Sequence, residues 1–95
     1  MAERVVEQTL SDGGLSIHYR LERLGGDLLL TVTGGAAHVG CVVLATHRQS
    51  LTGSGADSAD SSVLNRSGHK DEFLLRALAE RLSAVAGCAV AAVGG

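Results

Sequence analysis

Two histidine-containing segments carry the residues of this chain that could do chemistry. The first, residues 34–45, reads Gly-Gly-Ala-Ala-His-Val-Gly-Cys-Val-Val-Leu-Ala and places His38 just before a run of small and apolar residues. The second, residues 67–71, reads Ser-Gly-His-Lys-Asp and places His69 and Lys70 before a helical pattern. If the two segments meet, two imidazoles, an ammonium group and backbone N–H groups surround a pocket with little side-chain bulk. Such a pocket suits a flat anionic ligand.

The second segment has the features of an anion site. The first N–H groups of a helix lack intrahelical partners, and the positive end of the helix dipole attracts phosphate or carboxylate. Lys70 adds a mobile positive charge at the same place. Glycine-rich helix entries are common, so the spacing fits an ordinary loop as well.

Other site chemistries find less support in the sequence. His38, Cys41, His47 and His69 are potential zinc ligands. Because Cys41 lies within an apolar strand pattern with no second cysteine nearby, we predict no metal site. A cysteine–histidine nucleophile pair lacks an acidic partner to orient it. Paired carboxylates, phosphate-binding loops and dinucleotide fingerprints are absent, and we predict no catalytic residues.

Length and composition indicate one small domain, residues 1–95. Aromatic residues make up only 2% of the 95 residues, so the core must come from smaller aliphatic side chains, which bury less area each. A chain this short has a thin core, and we therefore expect a homodimer. Eight basic and ten acidic residues give a net charge of −2 with no basic block, which argues against a nucleic-acid partner.

The cysteines and the N-terminal residues predict a cytoplasmic protein. Cys41 and Cys88 both have apolar neighbours, as expected for reduced thiols that act as small buried hydrophobes. The first residues contain no apolar run of the signal-peptide type. No segment approaches the ~20 consecutive apolar residues of a membrane span.

The N-terminal half predicts antiparallel strands. Residues 4–10 fit a short strand, and residues 15–22 alternate between apolar positions and the polar row Ser16, His18, Arg20 and Glu22. Leu24-Gly25-Gly26-Asp27 is typical of a tight hairpin turn, after which residues 28–33 resume the alternation. Residues 39–46 are small or apolar throughout, which predicts a central strand covered on both faces, with Gly40 allowing close backbone approach.

The C-terminal half predicts a loop, a helix and a last strand. Residues 49–60 are rich in Ser, Gly, Asp and Ala, which predicts a mobile loop, and residues 61–65 fit a short strand. The three- and four-residue spacing over residues 70–86 predicts a helix capped by Gly87, followed by an apolar strand at 88–93. We expect its apolar stripe to face the sheet: Leu74, Ala77, Leu78, Leu82 and Val85.

These elements predict a two-layer α/β sandwich with a mainly antiparallel sheet of about five strands and one principal helix. One helix cannot cover a sheet of that size. Part of the remaining sheet surface must therefore be exposed to solvent or pack against a second subunit. The polar row from Ser16 to Glu22 is suited to solvent exposure.

The two histidine-containing segments resemble a known family, the small prenylated-flavin chaperones that include the D subunit of gallate decarboxylase (LpdD-like proteins). The resemblance runs from about Leu15 to Val93. Its specific part combines a histidine and glycines at a strand entry with a Gly-His-Lys helix entry. The matching stretches are residues 33–45, Ser61-Ser62-Val63-Leu64 and Gly68-His69-Lys70-Asp71-Glu72.

The resemblance implies a non-enzymatic accessory protein. Family members serve UbiD-type reversible decarboxylases, whose cofactor is a flavin mononucleotide (FMN) carrying an extra prenyl-derived ring, and are not decarboxylases themselves. It implies binding of prenylated FMN, or of FMN, and support of its oxidative maturation or delivery to an apo-decarboxylase. Six positions are carried over as cofactor-binding residues: Gly35, His38, Gly40, Gly68, His69 and Lys70. The alternative is a dimeric protein-assembly or interaction module without a cofactor.

Overall fold

The computed structural model describes residues 5–49, 57–66 and 72–95, which form one mixed six-stranded sheet with one helix packed on it. The strands lie in the order β1-β2-β3-β6-β4-β5, and only the β3–β6 pair is parallel. The predicted two-layer α/β fold with a mainly antiparallel sheet is confirmed. The elements are β1 (Val5–Asp12), β2 (Leu15–Leu24), β3 (Asp27–Gly34), β4 (Cys41–Gln49), β5 (Asp57–Asn65), α1 (Glu72–Ala86) and β6 (Val90–Gly94).

Glycine turns join the first three strands into a meander. Gly13 and Gly14, with φ of 56° and 85°, connect β1 to β2, and Gly25, with φ of 63°, opens the turn from β2 to β3. These left-handed conformations carry little penalty for glycine and match the twist of a two-residue hairpin. The predicted hairpin at Leu24–Asp27 is confirmed, and β1 is a full strand paired with β2 along its length.

The second half of the sheet differs from the prediction in three respects. Strand β5 begins at Asp57, so residues 57–60 are strand where a loop was expected, and residues 50–56 lie outside the described part of the chain. Strand β6, not β4, takes the position between the two halves. The prediction that residues 39–46 are covered on both faces is wrong, because Leu44 is half exposed on the face opposite α1.

The core lies between the sheet and α1. Side chains on the α1 side of the sheet, which we call the helix face, include Leu30, Val43 and Val90, and all three are buried. Cys41 is buried there too, as expected for a thiol that packs as a small hydrophobe. The helix buries Leu75, Ala79 and Ser83 against this face.

The predicted apolar stripe of α1 is correct for Leu78 and Leu82, which pack against the core, and wrong for its other three residues. Leu74, Ala77 and Val85 are exposed, while Leu75, Ala79 and Ser83 are buried. Polar contacts with β5 explain the rotation, since they fix a different side of the helix against that strand. The bonds are Arg76 Nε to Ser61 Oγ at 3.0 Å, Ser61 Oγ to Glu80 at 2.5 Å and Asn65 Nδ2 to Glu72 at 2.6 Å.

The end of α1 follows the prediction. Gly87 has a φ of 69° and its N–H donates to the Ser83 carbonyl at 2.9 Å, which closes the last turn. The buried hydroxyl of Ser83 donates to the Cys88 carbonyl at 2.6 Å, which ties the chain after the helix to its last turn. No helix within the described ranges is long and apolar enough to cross a membrane.

The opposite surface of the sheet, the open face, carries the predicted polar row of β2. His18 accepts or donates a 2.8 Å hydrogen bond with Thr9, and Arg20 lies 3.5 Å from Glu7 and 3.8 Å from Glu22. These charges leave the β1–β2 part of the open face hydrated.

Candidate functional site

The candidate site lies at the edge of the sheet where β3 and β6 end and α1 begins. An apolar cavity of about 260 Å³ opens between the first turns of α1 and strands β2, β3 and β6. Alternation along the strands places Ile17 and Val32 on the helix face, where they form the floor. Helix residues form one wall, and glycines form the rim. The lining residues are Ile17, Val32, Thr33, Gly34, Leu74, Leu75, Gly94 and Gly95.

Glycines let three backbone segments meet at this edge. The Gly34 N–H donates to the Gly95 carbonyl at 3.3 Å, the Gly40 N–H to the Gly94 carbonyl at 2.8 Å, and the Gly95 N–H to the Val32 carbonyl at 3.1 Å. These bonds join the ends of β3 and β6 to the entry of β4. The backbone of β6 thus bonds to Gly40, whereas the need for glycine at position 40 stays a prediction.

His38 stands beside this junction, in the loop from β3 to β4. Its Nδ1 donates to the Ala36 carbonyl at 2.9 Å, which leaves Nε2 as the nitrogen directed toward the chain end. A Cβ built on Gly95 would lie 2.7 Å from His38 Nε2 and 2.9 Å from the Gly40 nitrogen. The imidazole therefore contacts a residue that lines the cavity.

Gly35 is the residue that turns the chain out of β3. It has a φ of 62°, and a Cβ built on it meets no atom within 4 Å, so its conformation rather than crowding favours glycine. Of the first-segment predictions, His38 and Gly40 lie beside two glycines of the cavity lining, Gly95 and Gly94, without being lining residues themselves, and Gly35 lies at the start of their loop.

Gly68, His69 and Lys70, the second-segment predictions, lie outside the described residues. The residues on either side of that segment are at the candidate site. The Arg66 N–H donates to the Gly40 carbonyl at 2.9 Å and its guanidinium to the Val39 carbonyl at 3.2 Å, while Leu74 and Leu75 line the cavity. The last described residue before the gap, Arg66, therefore contacts the loop that contains His38. The first turn of α1, after the gap, forms the cavity wall.

Sequence reasoning missed the residues that form the cavity itself. Ile17 and Val32 lie at apolar positions of the predicted strands, and Leu74 lies in the stripe expected to face the sheet. Gly94 and Gly95 follow the last predicted strand. The available signal was the repetition of a Gly-Gly pair after an apolar strand, at residues 34–35 and again at 94–95.

The cavity has the chemistry of a binding site. Its lining is aliphatic or glycine apart from the Thr33 side chain, and among the described lining residues none carries a carboxylate, thiol or amine. His38 is not among these lining residues; it lies next to one of them, Gly95. Within residues 5–49, 57–66 and 72–95, no group of three His, Cys, Asp or Glu residues could hold a metal ion.

Comparison with known proteins agrees with this arrangement. No curated protein sequence gives a significant match to the chain. A family model described as a prenylated flavin chaperone LpdD-like domain matches residues 11–95, which include every described residue of the cavity and both histidine-containing segments. A match over most of the chain establishes the family, and the chain belongs to the prenylated flavin chaperone LpdD-like family.

Proposed function

We propose that this protein is a non-enzymatic accessory protein that binds prenylated FMN and supports its oxidative maturation or its delivery to a UbiD-type decarboxylase. The observation that carries the proposal is the apolar cavity beside His38, in a chain matched by the chaperone family over residues 11–95. A binding cavity whose described lining carries no carboxylate, thiol or amine favours storage and transfer over turnover. We place this activity in the cytoplasm.

The size of the cavity fits part of the cofactor. At about 260 Å³ it lies below the range of roughly 300–1,000 Å³ that is usual for whole small-molecule sites. The aliphatic floor suits the added prenyl-derived ring or an edge of the flavin ring system, because both are apolar. We assign Gly35, His38 and Gly40 to the rim that contacts the ring system.

The phosphate is assigned to the second segment. Gly68 and His69 would supply backbone donors before α1, and Lys70 would supply charge. Arg66, which the sequence analysis did not single out, adds a positive charge beside Gly40. Arg66 and Lys70 are both cationic, as an anionic ligand requires.

Lys70→Ala should weaken binding of prenylated FMN by about 1–2 kcal/mol, the usual contribution of one charge-assisted hydrogen bond. The measurement is a flavin titration followed by absorbance or fluorescence. Arg48→Ala is the matched control, because Arg48 pairs with Asp60 at 2.8 Å on the other half of the sheet. Equal affinity of the wild type for phosphorylated and dephosphorylated flavin would remove the basis for this assignment.

His38→Ala should reduce the yield of active decarboxylase in a reconstitution assay. Imidazole can donate or accept a proton near neutral pH, and His38 lies beside Gly95, which lines the cavity. The assay mixes apo-decarboxylase, reduced cofactor and oxygen with or without this protein. It is then repeated with the variants His38→Ala and His69→Ala and with the open-face control His18→Ala. We expect the wild type and His18→Ala to raise the yield about equally.

Two outcomes of that assay have different meanings. If the yield is the same with and without the protein, the chaperone function is wrong. If every variant helps as much as the wild type, only the roles of His38 and His69 are wrong.

The second candidate function is a dimeric assembly or interaction module without a cofactor. It is favoured by apolar side chains that remain exposed in the single chain, among them Leu15, Leu64 and Phe73. A homodimer is compatible with both functions. The two are separated by incubation with reduced and oxidised prenylated FMN, after which a flavin-binding protein retains colour on gel filtration and a pure interaction module does not.

A further inference from the structure

The loop from β3 to β4 that carries His38 has a composition that does not hold its own shape. Residues 35–40 read Gly-Ala-Ala-His-Val-Gly, and residues 35–39 are all exposed, whereas Gly40 is buried. Glycine loses more conformational freedom on folding than any other residue, and alanine offers little side-chain surface for packing. Such a loop needs hydrogen bonds to its backbone to keep the imidazole in one place.

Arg66 supplies two such hydrogen bonds, to consecutive carbonyl groups. Its backbone N–H donates to the Gly40 carbonyl at 2.9 Å, and its guanidinium donates to the Val39 carbonyl at 3.2 Å. Val39 directly follows His38 in the chain. Arg66 therefore holds the peptide groups immediately after the histidine.

The backbone of Arg66 is itself fixed. Its neighbour Asn65, the last residue of β5, pairs with Cys41, so the bond from Arg66 to Gly40 continues the β4–β5 pairing by one residue. The Asn65 side-chain amide also donates to Glu72, in the first turn of α1, at 2.6 Å. A side chain that extends from a fixed backbone can hold its partner more precisely than one that extends from a loose loop.

The contact made by the Arg66 side chain differs from those of other arginines in the protein. Arg20, Arg48 and Arg76 each lie within 3.5 Å of a carboxylate oxygen. No carboxylate in the described part of the chain pairs with Arg66, and its guanidinium donates to a main-chain carbonyl instead. Because a guanidinium has five N–H donors, this bond leaves further donors and the positive charge for an anionic ligand.

A second hydrogen bond holds the other side of His38. Its Nδ1 donates to the Ala36 carbonyl at 2.9 Å, which requires a hydrogen on Nδ1 and directs Nε2 to the side of Gly95. The bonds at Ala36 and Val39 thus flank the histidine. Loss of the bond at Val39 would free one side of the loop and with it the orientation of the ring.

We propose that Arg66 is a positioning residue for His38. Through the Val39 carbonyl, its guanidinium keeps the loop in the conformation in which His38 Nδ1 bonds to the Ala36 carbonyl. This first step needs no ligand. A second step rests on the proposed flavin function: the Arg66 side chain supports maturation of prenylated FMN mainly by holding His38, in addition to the charge that it offers.

The imidazole signals of His38 test the first step without flavin. Long-range ¹H–¹⁵N NMR spectra, recorded at a pH where the ring is neutral, distinguish a hydrogen on Nδ1 from one on Nε2. We expect Nδ1–H to be the major tautomer of His38 in the wild type, to become the minor one in Arg66→Ala, and to be restored in Arg66→Lys, which keeps a donor on a long stem.

His18 is the internal control in the same spectra. It lies on the open face, where its Nδ1 bonds to Thr9, and its signals should be the same in all three proteins. Circular dichroism verifies that each variant is folded. A His38 tautomer that is unchanged in folded Arg66→Ala would overturn the proposal.

A double-mutant cycle tests the second step. The initial rate at which apo-decarboxylase, reduced cofactor and oxygen give active enzyme is measured with the wild type, Arg66→Ala, His38→Ala and the double variant. We expect Arg66→Ala to lose most of the rate that His38→Ala loses, and the double variant to lose no more than His38→Ala. Independent residues would give losses that multiply, to within about twofold.

Arg23→Ala is the matched control for the loss of a positive charge. Arg23 is exposed near the end of β2 that is remote from Ile17 and the cavity, and its removal should leave the rate as in the wild type. Losses that multiply would overturn the second step and assign Arg66 to the ligand alone. If no form of the protein raises the rate, the proposed function is wrong, whereas the tautomer of His38 still decides whether Arg66 positions it.

Discussion

Replacing Gly94 with alanine should lower the free energy of unfolding by about 2–3 kcal/mol, the usual effect of forcing an extra group into a packed region. Gly94 ends the central strand β6 and lies opposite Val32 of β3 and Cys41 of β4. A Cβ at this position would collide with the Val32 carbonyl oxygen and lie 3.5 Å from a methyl carbon of Leu75. Because the obstructing atom is backbone, the strand itself would have to move.

Gly26→Ala is the control for this effect. Gly26 lies in the turn from β2 to β3, its φ is outside the left-handed region, and a Cβ built there meets no atom within 4 Å. Alanine should leave stability nearly unchanged or raise it by a few tenths of a kcal/mol through the unfolded state. Urea unfolding of both variants gives the comparison. Equal stability of the two variants would contradict the close approach of β3 and β6.

The local parts of the fold could be predicted from the sequence. Alternation along β2 and β3 and the Gly25-Gly26 turn define a hairpin by short-range chemistry, and the structure confirms it. Gly87 likewise has the backbone freedom that a helix end needs. In each case the residues that determine the structure are neighbours in the chain.

Strand order could not be predicted in the same way. The segment 88–93 has the composition of a buried strand, but its place between β3 and β4 depends on a parallel pairing across sixty residues of sequence. The edge strand β5 begins in Asp-Ser-Ala-Asp, a composition that resembles a loop because an edge strand need not bury both faces. Pairing with the long β4 determines its structure.

The candidate site shows the same limit. His38 and Gly40 could be proposed from residue type and spacing, and the structure places them next to Gly95 and Gly94, which line the cavity. Ile17 and Leu74 are ordinary aliphatic residues, and nothing in their local sequence distinguishes a cavity wall from a core position. The rotation of α1 is fixed by the hydrogen bonds of Arg76 and Glu80 with Ser61 of β5, and it places Leu74 on the cavity wall.

Because of the rotation of α1, Leu75 packs in the core and Leu74 lines the cavity. Substitution of Leu75 should therefore have a large effect on the free energy of unfolding. Leu75 is 2% exposed and packs in the core, so Leu75→Ala should lower the free energy of unfolding by about 2–4 kcal/mol through lost burial and a residual void. Leu74 is 51% exposed on the cavity wall. Leu74→Ala should cost less than about 1 kcal/mol of stability, since much of its side chain is already in water.

Flavin affinity, measured per folded molecule, should depend on Leu74, although the stability of the fold depends mainly on Leu75. Under the proposed function, Leu74→Ala removes apolar contact with the ligand and should weaken binding of prenylated FMN about fivefold to tenfold, as expected for roughly 1 kcal/mol of lost burial. Leu44→Ala, on a residue that is 49% exposed on the open face, is the matched control and should bind as the wild type does. Urea unfolding and flavin titration of the three variants separate the two roles. If Leu74→Ala destabilises the fold as much as Leu75→Ala, or if it binds flavin like Leu44→Ala, then Leu74 is a core residue and the cavity is not the flavin site.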